Sequence, residues 1–273
     1  IKLLVTSRAR LNLREECLLE VAGLDYPAGA PAQTASADPV ADYSAIALFA
    51  QQARRARPGF SLSAEDWPAV VRICQLAEGV PLAIELAASW LRVLSCAEIL
   101  AELEHGLDFL TSSLQNAPER HRSLRAVFDH SWALLPADEQ ALFRRLSVFH
   151  GGFQREAAAQ AVAASLPLLA GLADKSLVRR SAAGRYEVHE LLRQYAEEQL
   201  RAAPIDFALV HDQHCRYYAA LLSQYGPQLQ GASPAIEAAL AALSLERENL
   251  RAAWTWAVEQ RKSVELNQFM DWL

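Results

Sequence analysis

The sequence predicts a mainly α-helical protein with one small β-hairpin and a remnant of an α/β sheet at its start. Three observations lead there. Apolar residues recur at helical spacing through most of the chain, one stretch near residue 180 switches to the period of a strand, and the first residues read as a buried parallel strand.

That first strand is IKLLVTSR, Ile1 to Arg8, where Val5 and Thr6 supply β-branching, and CLLEVAGL, Cys17 to Leu24, offers at most one more. Two strands cannot make a doubly covered sheet, and the chain begins without methionine, so it is expected to be a piece of a longer protein. YPAGAPAQTASADP, Tyr26 to Pro39, has the proline, alanine, glycine and serine content of a linker or a long exposed loop. From Asp42 to about Leu110 the pattern is helical throughout. It runs through Ile46, Leu48, Phe49 and Ala53, then Val70, Val71, Ile73, Cys74 and Ala77, then Leu82 to Leu94, and Ala97 to His105. Ser63 and Ser95 are the residue type that caps helix starts. A polar break, Thr111 to Arg122, precedes helices from Ser123, from about Asp138 to Phe149, from Gln154 to Ala163 and from Leu166 to Asp174.

The hairpin follows, with Leu177 to Arg179 and Arg185 to Val188 joined by Ser181-Ala182-Ala183-Gly184. A helix resumes from His189 to about Ala202. Helices, a hairpin and a further helix suggest a winged-helix-like module. Beyond Pro204 two amphipathic segments are predicted, Phe207 to Tyr225 and Ala235 to about Glu259, and SVELNQFMDWL again has helical spacing. Four regions result: 1–37, sheet remnant and linker; 38–116, a four-helix module; 117–204, the winged-helix-like module; and 205–273, a helical segment resembling the start of a superhelical repeat array.

Composition narrows the function classes. Of 273 residues, 52% are hydrophobic and 21% charged, with mean hydropathy +0.03, which supports a packed core and excludes general disorder. Basic minus acidic residues, 26 − 32, gives −6, so the chain has no global attraction to nucleic acid or an anionic membrane. No apolar run approaches the ~20 residues of a membrane helix, and VPLAIELAASWL is interrupted by Glu85. Four cysteines without CxxC spacing, Cys17, Cys74, Cys96 and Cys215, suggest neither a disulfide framework nor a zinc site. A cytoplasmic location and no membrane partner are expected.

A strand ending in polar residues is where α/β folds place phosphates, but no phosphate cradle is present. The three lysines, Lys2, Lys175 and Lys262, do not follow glycine, so GxxxxGK[ST] is absent, as is an acidic pair closing an apolar strand. No nucleophile, base and orienting group stand at an interpretable spacing.

Three pieces nevertheless form a set: Leu4-Val5-Thr6-Ser7-Arg8, Gly79-Val80-Pro81-Leu82-Ala83 and Val188-His189-Glu190. In order and spacing they resemble late motifs of the STAND/NB-ARC signalling ATPases. AIELAAS, LFRRLSVFHGGF, ELLRQYAEEQL and LERENLRAAWTWA are similar to bacterial transcriptional regulators of the AfsR and MalT kind, LuxR-type or SARP-type. The resemblance covers nearly the whole chain and implies the lid and hinge of an ADP-locked, ATP-activated switch, lacking the Walker A and B core. It implies ATP or ADP in the intact parent, with Mg in the missing core, and no tight nucleotide binding by this fragment. Implied partners are the parent's nucleotide-binding core and, on activation, other copies, with DNA reached only through a separate domain.

The site residues implied by the resemblance are Arg8, Gly79, Pro81 and His189. Arg8 would end a strand, where its planar fork could reach a terminal phosphate; spacing alone reads it as a surface arginine. Pro81 would lay its apolar ring against adenine, and equally fits an ordinary helix-starting proline. His189 would meet a diphosphate at a helix start, or simply close that helix. Val188 and Glu190 depart from the family's MHD. Two other classes stand beside this reading: a helical protein-interaction scaffold without nucleotide, and a winged-helix DNA-binding regulator. Against the latter, the would-be reading helix, Leu166 to Ser176, carries only Asp174 and Lys175 as charges and no arginine, asparagine or glutamine for base edges, so it is expected to be buried. Arg179, Arg180 and Arg185 on the wing read as an exposed face that could touch phosphates. His211, His214 and Cys215 have two-ligand spacing without a third ligand, and are expected on a partly exposed helix surface. Tyr217, Tyr218, Leu221, Leu222 and Tyr225 read as that helix's packing stripe, and Trp254 and Trp256 as packing anchors.

Overall fold

The computed structural model describes residues 4–7, 10–11, 13–14, 16–19, 21–28, 42–106, 124–181, 183–229 and 233–271. They fall into two compact units. A helical unit comprises Leu13–Leu135 and Glu190–Tyr195; a wing unit comprises Ile1–Asn12, Pro136–His189 and Ala196–Leu273.

The helical unit is built from α1 (Ser44–Ala56), α2 (Trp67–Leu76), α3 (Pro81–Ser89), α4 (Cys96–His105) and α5 (Leu124–Ala133). Their apolar stripes bury Ile46, Phe49, Val70, Ile73, Ile84, Leu91, Ile99 and Leu103 in one core. Local chemistry sets the helix starts. Ser63 accepts from the Asp66 N–H at 3.1 Å one turn before α2 settles. At α4, Ser95 Oγ accepts from the Glu98 N–H while Glu98 accepts from the Ser95 N–H at 2.8 Å, a reciprocal cap. Helix α3 stops earlier than its apolar pattern suggests: the Ser89 hydroxyl donates to the Leu86 carbonyl and the chain tightens through a 3-10 turn, Trp90–Arg92. Leu191 and Tyr195 complete this core. Phe128 and Trp132 meet Tyr195 edge-on at 5.8 and 6.1 Å, and its hydroxyl donates to Asp129 at 2.8 Å.

The two expected N-terminal strands do not form among the described residues. Leu4 is 94% exposed and Val21 91%, and neither 4–7 nor 17–24 pairs with a strand. A β-branched run needs a neighbouring strand to form a ladder, and among the described residues no strand lies beside it. Instead 24–27 is held by the helices: Leu24 N–H donates to Gly79 O at 2.8 Å, Asp25 N–H to Ser44 Oγ at 3.0 Å, and Gln75 Nε2 to Pro27 O at 2.8 Å. Tyr26 packs on the core, so the expected linker begins as a docked segment; residues 29–39 lie outside the described residues.

The wing unit contains α6 (Ala137–Leu146), α7 (Arg155–Val162), α8 (Leu166–Asp174), β1 (Arg179–Arg180), β2 (Tyr186–Glu187), α10 (Pro204–Leu229), α11 (Ser233–Leu245), α12 (Arg247–Glu259) and α13 (Ser263–Met270). Helix α9 (Glu190–Arg201) is shared, its residues through Tyr195 belonging to the helical unit. The strands pair antiparallel, Arg179 with Glu187 and Arg180 with Tyr186, around a turn where Gly184 adopts φ +80°. Phe153 adds a bridge on the other side of Tyr186, with both N–H···O bonds at 2.8 Å. Helix, bridge, two helices and hairpin follow one another in the order expected of a winged-helix-like module, and α8 coincides with the segment expected as its would-be reading helix. The segment expected as one helix from Ala235 to Glu259 is two helices, α11 and α12, separated at the buried Glu246. Among the described residues the hairpin is the sole named sheet, and no single helix is long and apolar enough to cross a membrane.

Candidate functional site

The turn between α2 and α3 carries two of the residues singled out from sequence. Glu78 and Gly79 both have positive φ, +44° and +70°, which reverses the chain after α2. Gly79 has no room for a side chain, since a Cβ there would lie 2.1 Å from the Leu24 carbonyl oxygen. Gly23 is as tight, 2.3 Å from the Glu78 carbonyl oxygen. Pro81 follows as the first residue of α3, exposed, with no side chain capping that helix start. The turn thus presents an apolar ring beside N–H groups that no side-chain cap has taken.

A residue not singled out from sequence joins this turn to the third motif. The Glu78 Oε1 atom accepts from the Glu190 N–H at 3.0 Å, placing a carboxylate at the start of α9. The Glu190 side chain is itself held by the buried Arg193 at 2.9 Å. No sequence signal marks Glu78, because its partner is 112 residues away. His189 is half-buried, immediately precedes Glu190 and belongs to the wing unit; Arg8 lies outside the described residues. The structure therefore brings Gly79 and Pro81 together on one turn and ties that turn to the residue after His189.

The wing corrects one expectation. Arg185 is not on an exposed face: its side chain is 9% exposed and ion-paired with the equally buried Glu246. It also donates to the carbonyls of Gly152 at 3.0 Å and Leu245 at 3.3 Å. Glu246 accepts in addition from the Tyr218 hydroxyl at 3.1 Å and from Asn249 Nδ2 at 3.0 Å. Asn249 in turn donates to Gly152 O and accepts from the His150 N–H, at 2.8 and 2.7 Å. Burial and the adjacent Glu246 push the Tyr218 hydroxyl pKa well above its ordinary value. Arg179 and Arg180 are exposed, and Arg179 pairs with Glu187 at 2.9 Å.

Helix α8 buries Leu169 and Leu172 but is not wholly buried as expected: Leu166, Pro167 and Ala170 face outward, all apolar. Its polar end is engaged, Asp174 with Arg10 at 3.4 Å and the adjoining Lys175 with Glu139 at 2.8 Å. This face offers nothing to a base edge.

The histidines of α10 are also deeper than expected. His214 is buried between Phe149 and Tyr218, at centroid distances of 5.4 and 4.6 Å, and burial lowers its pKa to about 3. His211 stacks on Trp256 at 4.6 Å beside Phe207, and burial lowers it to about 4. Cys215 is buried, which pushes its thiol up to about 11. Among the described residues no group of three or more His, Cys, Asp or Glu side chains is placed to hold a metal ion.

No family model matches the chain. It is similar over 235 residues, at 38% identity, to proteins named "Putative HTH-type transcriptional regulator" in Mycobacterium tuberculosis and Mycobacterium bovis, covering 82% of this chain and 26% of each relative. It is 41% identical over 169 residues to a protein of M. tuberculosis named "Uncharacterized protein", covering 57% of this chain and 42% of that one. The chain spans about a quarter of the length of the named regulators, and what it shares with them runs through most of its own length.

Proposed function

We propose that this chain is the lid and hinge portion of a larger bacterial transcriptional regulator whose output is set by bound nucleotide. The observation that carries the reading is the Glu78 carboxylate at the start of α9, which links the Gly79–Pro81 turn to the residue following His189. A displacement of the turn must then pull on the start of that helix. The relatives' names support the regulator part of the proposal.

In the parent, ADP or ATP would supply an adenine ring and a phosphate tail. Pro81 fits the first by its exposed apolar ring at an uncapped helix start, and His189 would donate an imidazole N–H to the second. Arg8 would report a terminal phosphate through its fork. The switch works only if these side chains meet the nucleotide in one arrangement and not the other, because equal affinity for both states shifts nothing. In this reading the winged helix is a packing module, which the apolar outer face of α8 supports.

In the full-length parent, His189→Ala should raise basal transcriptional output, and Pro81→Ala should weaken ADP binding in a calorimetric titration while leaving thermal stability nearly unchanged. A parent that binds neither ADP nor ATP would overturn the proposal and favour a nucleotide-free scaffold. The name these relatives carry favours a second reading, in which the winged helix itself binds DNA. A salt-dependent mobility shift of this chain on duplex DNA at physiological ionic strength would establish that reading, and none is expected.

A further inference from the structure

The buried polar cluster at the wing has no part in the nucleotide reading, yet its construction is unusual for a structural contact. Arg185 stands one residue before β2, and Glu246 occupies the junction between α11 and α12, 61 residues later. Both side chains are withdrawn from water. One further hydrogen bond, Arg185 to Gly152 O, stays within the hairpin and its neighbouring turn; the others cross from these to the C-terminal helices or brace Glu246 from α10 and α12: Arg185 to Leu245 O, Asn249 Nδ2 to Gly152 O, the His150 N–H to Asn249 Oδ1, and Tyr218 and Asn249 to Glu246. The turn at Gly152 has no slack, since a Cβ there would lie 3.0 Å from the Tyr186 carbonyl oxygen.

Withdrawing one partner while the other stays buried leaves an unpaired desolvated charge, so neither element can shift alone without that cost. The two elements cannot part gradually. We propose that the Arg185–Glu246 pair makes the wing hairpin and the α11–α12 junction one cooperative unit, so that any partner or inducer displacing these helices necessarily moves the wing. The pair is a latch between a receiving surface and a hairpin. It stands on the geometry of the wing unit alone and holds whatever occupies the turn at Gly79.

Amide hydrogen exchange of the 273-residue chain, read by mass spectrometry, tests this. Three peptides suffice: one over the hairpin, residues 177–188, one over the junction, 243–252, and one over α3 of the helical unit, 81–89. In Glu246→Gln, which keeps shape and removes charge, the hairpin and junction peptides should both exchange about tenfold faster while the α3 peptide is unchanged. Should that variant lose structure throughout, seen as fast exchange at 81–89 as well, Arg185→Lys decides by the same criterion: it keeps the charge but loses the fork that also reaches Gly152 and Leu245. Joint acceleration of hairpin and junction in the deciding variant supports the latch. Acceleration of one without the other, or of neither, overturns it.

Discussion

The helical unit and the wing unit are both packed cores of short helices, yet they are held differently. In the helical unit, cohesion comes from apolar area, Phe49, Ile73, Ile84 and Ile99 among others, and among its described residues Arg193 is the one charged group that is buried. In the wing unit the core contains Glu139, Ser147, Arg185, His214, Glu246 and Asn249 as well as its leucines and phenylalanines. The difference teaches what each core can tolerate. An apolar core loses stability in proportion to the volume removed, whereas a core with desolvated polar groups fails when one partner is lost, however small the change in volume.

The sharpest test sets one substitution from each unit side by side. Glu246→Leu, which leaves Arg185 buried without its carboxylate, should destabilise the wing unit by about 3–5 kcal/mol. Phe49→Ala should cost the helical unit a similar amount, about 3–5 kcal/mol, by opening a cavity. The two are separated by a second change: adding Arg185→Met to Glu246→Leu should recover much of the loss, as urea unfolding would measure, whereas no polar-to-apolar partner can rescue Phe49→Ala. Failure of the rescue would show that the cluster is held by shape rather than by charge.

Acid should separate the units next. His211 and His214 have ordinary values near 6.5, lowered in the folded chain to about 4 and about 3. Above 6.5 both are neutral folded or unfolded and cost nothing. As pH falls below 6.5 the unfolded chain takes up the protons first, so stability is lost at roughly 1.4 kcal/mol per pH unit and histidine. Both contribute down to about 4, and His214 alone continues toward about 3. Wing-unit amides should therefore lose protection between pH 6.5 and 4 ahead of those in α3, and a His214→Phe variant should show a shallower decline.

The smallest expected effect belongs to the helical unit. Ser95→Ala removes the reciprocal cap with Glu98 at α4 and should cost about 1 kcal/mol, visible as faster exchange at the start of that helix. The wing unit should not respond.

Much of the fold was legible because its signals are local. The reciprocal cap at Ser95, the helical period of Ile46 to Ala53 and the Ser181–Gly184 turn each act within a few residues, and α8 spans the residues expected of it, Leu166–Asp174, whereas Ser63 lies ahead of its helix, whose N-cap is Asp66. What was not legible depends on distant partners. Val5 and Thr6 look like a strand, but a strand is a relation between two segments, and among the described residues no strand pairs with them. Arg185 looked like surface because charge ordinarily seeks water, and Glu246 disappeared inside an apolar period that continued through it. Both errors have one cause: the ion pair spans 61 residues. The candidate site was half legible. Gly79 and Pro81 are marked by residue type, whereas Glu78 is an ordinary glutamate until α9 arrives above its carboxylate.

The close approach of Gly23 to Glu78 and of Gly79 to Leu24 has a mechanical consequence. Because the segment is moored there main chain to main chain as well as by the packing of Leu24 on the core, tension applied to the chain ahead of Gly23 is delivered straight into the peptide units of the Gly79 turn. A bulky residue at either glycine would cut that tether while leaving the helices around it intact.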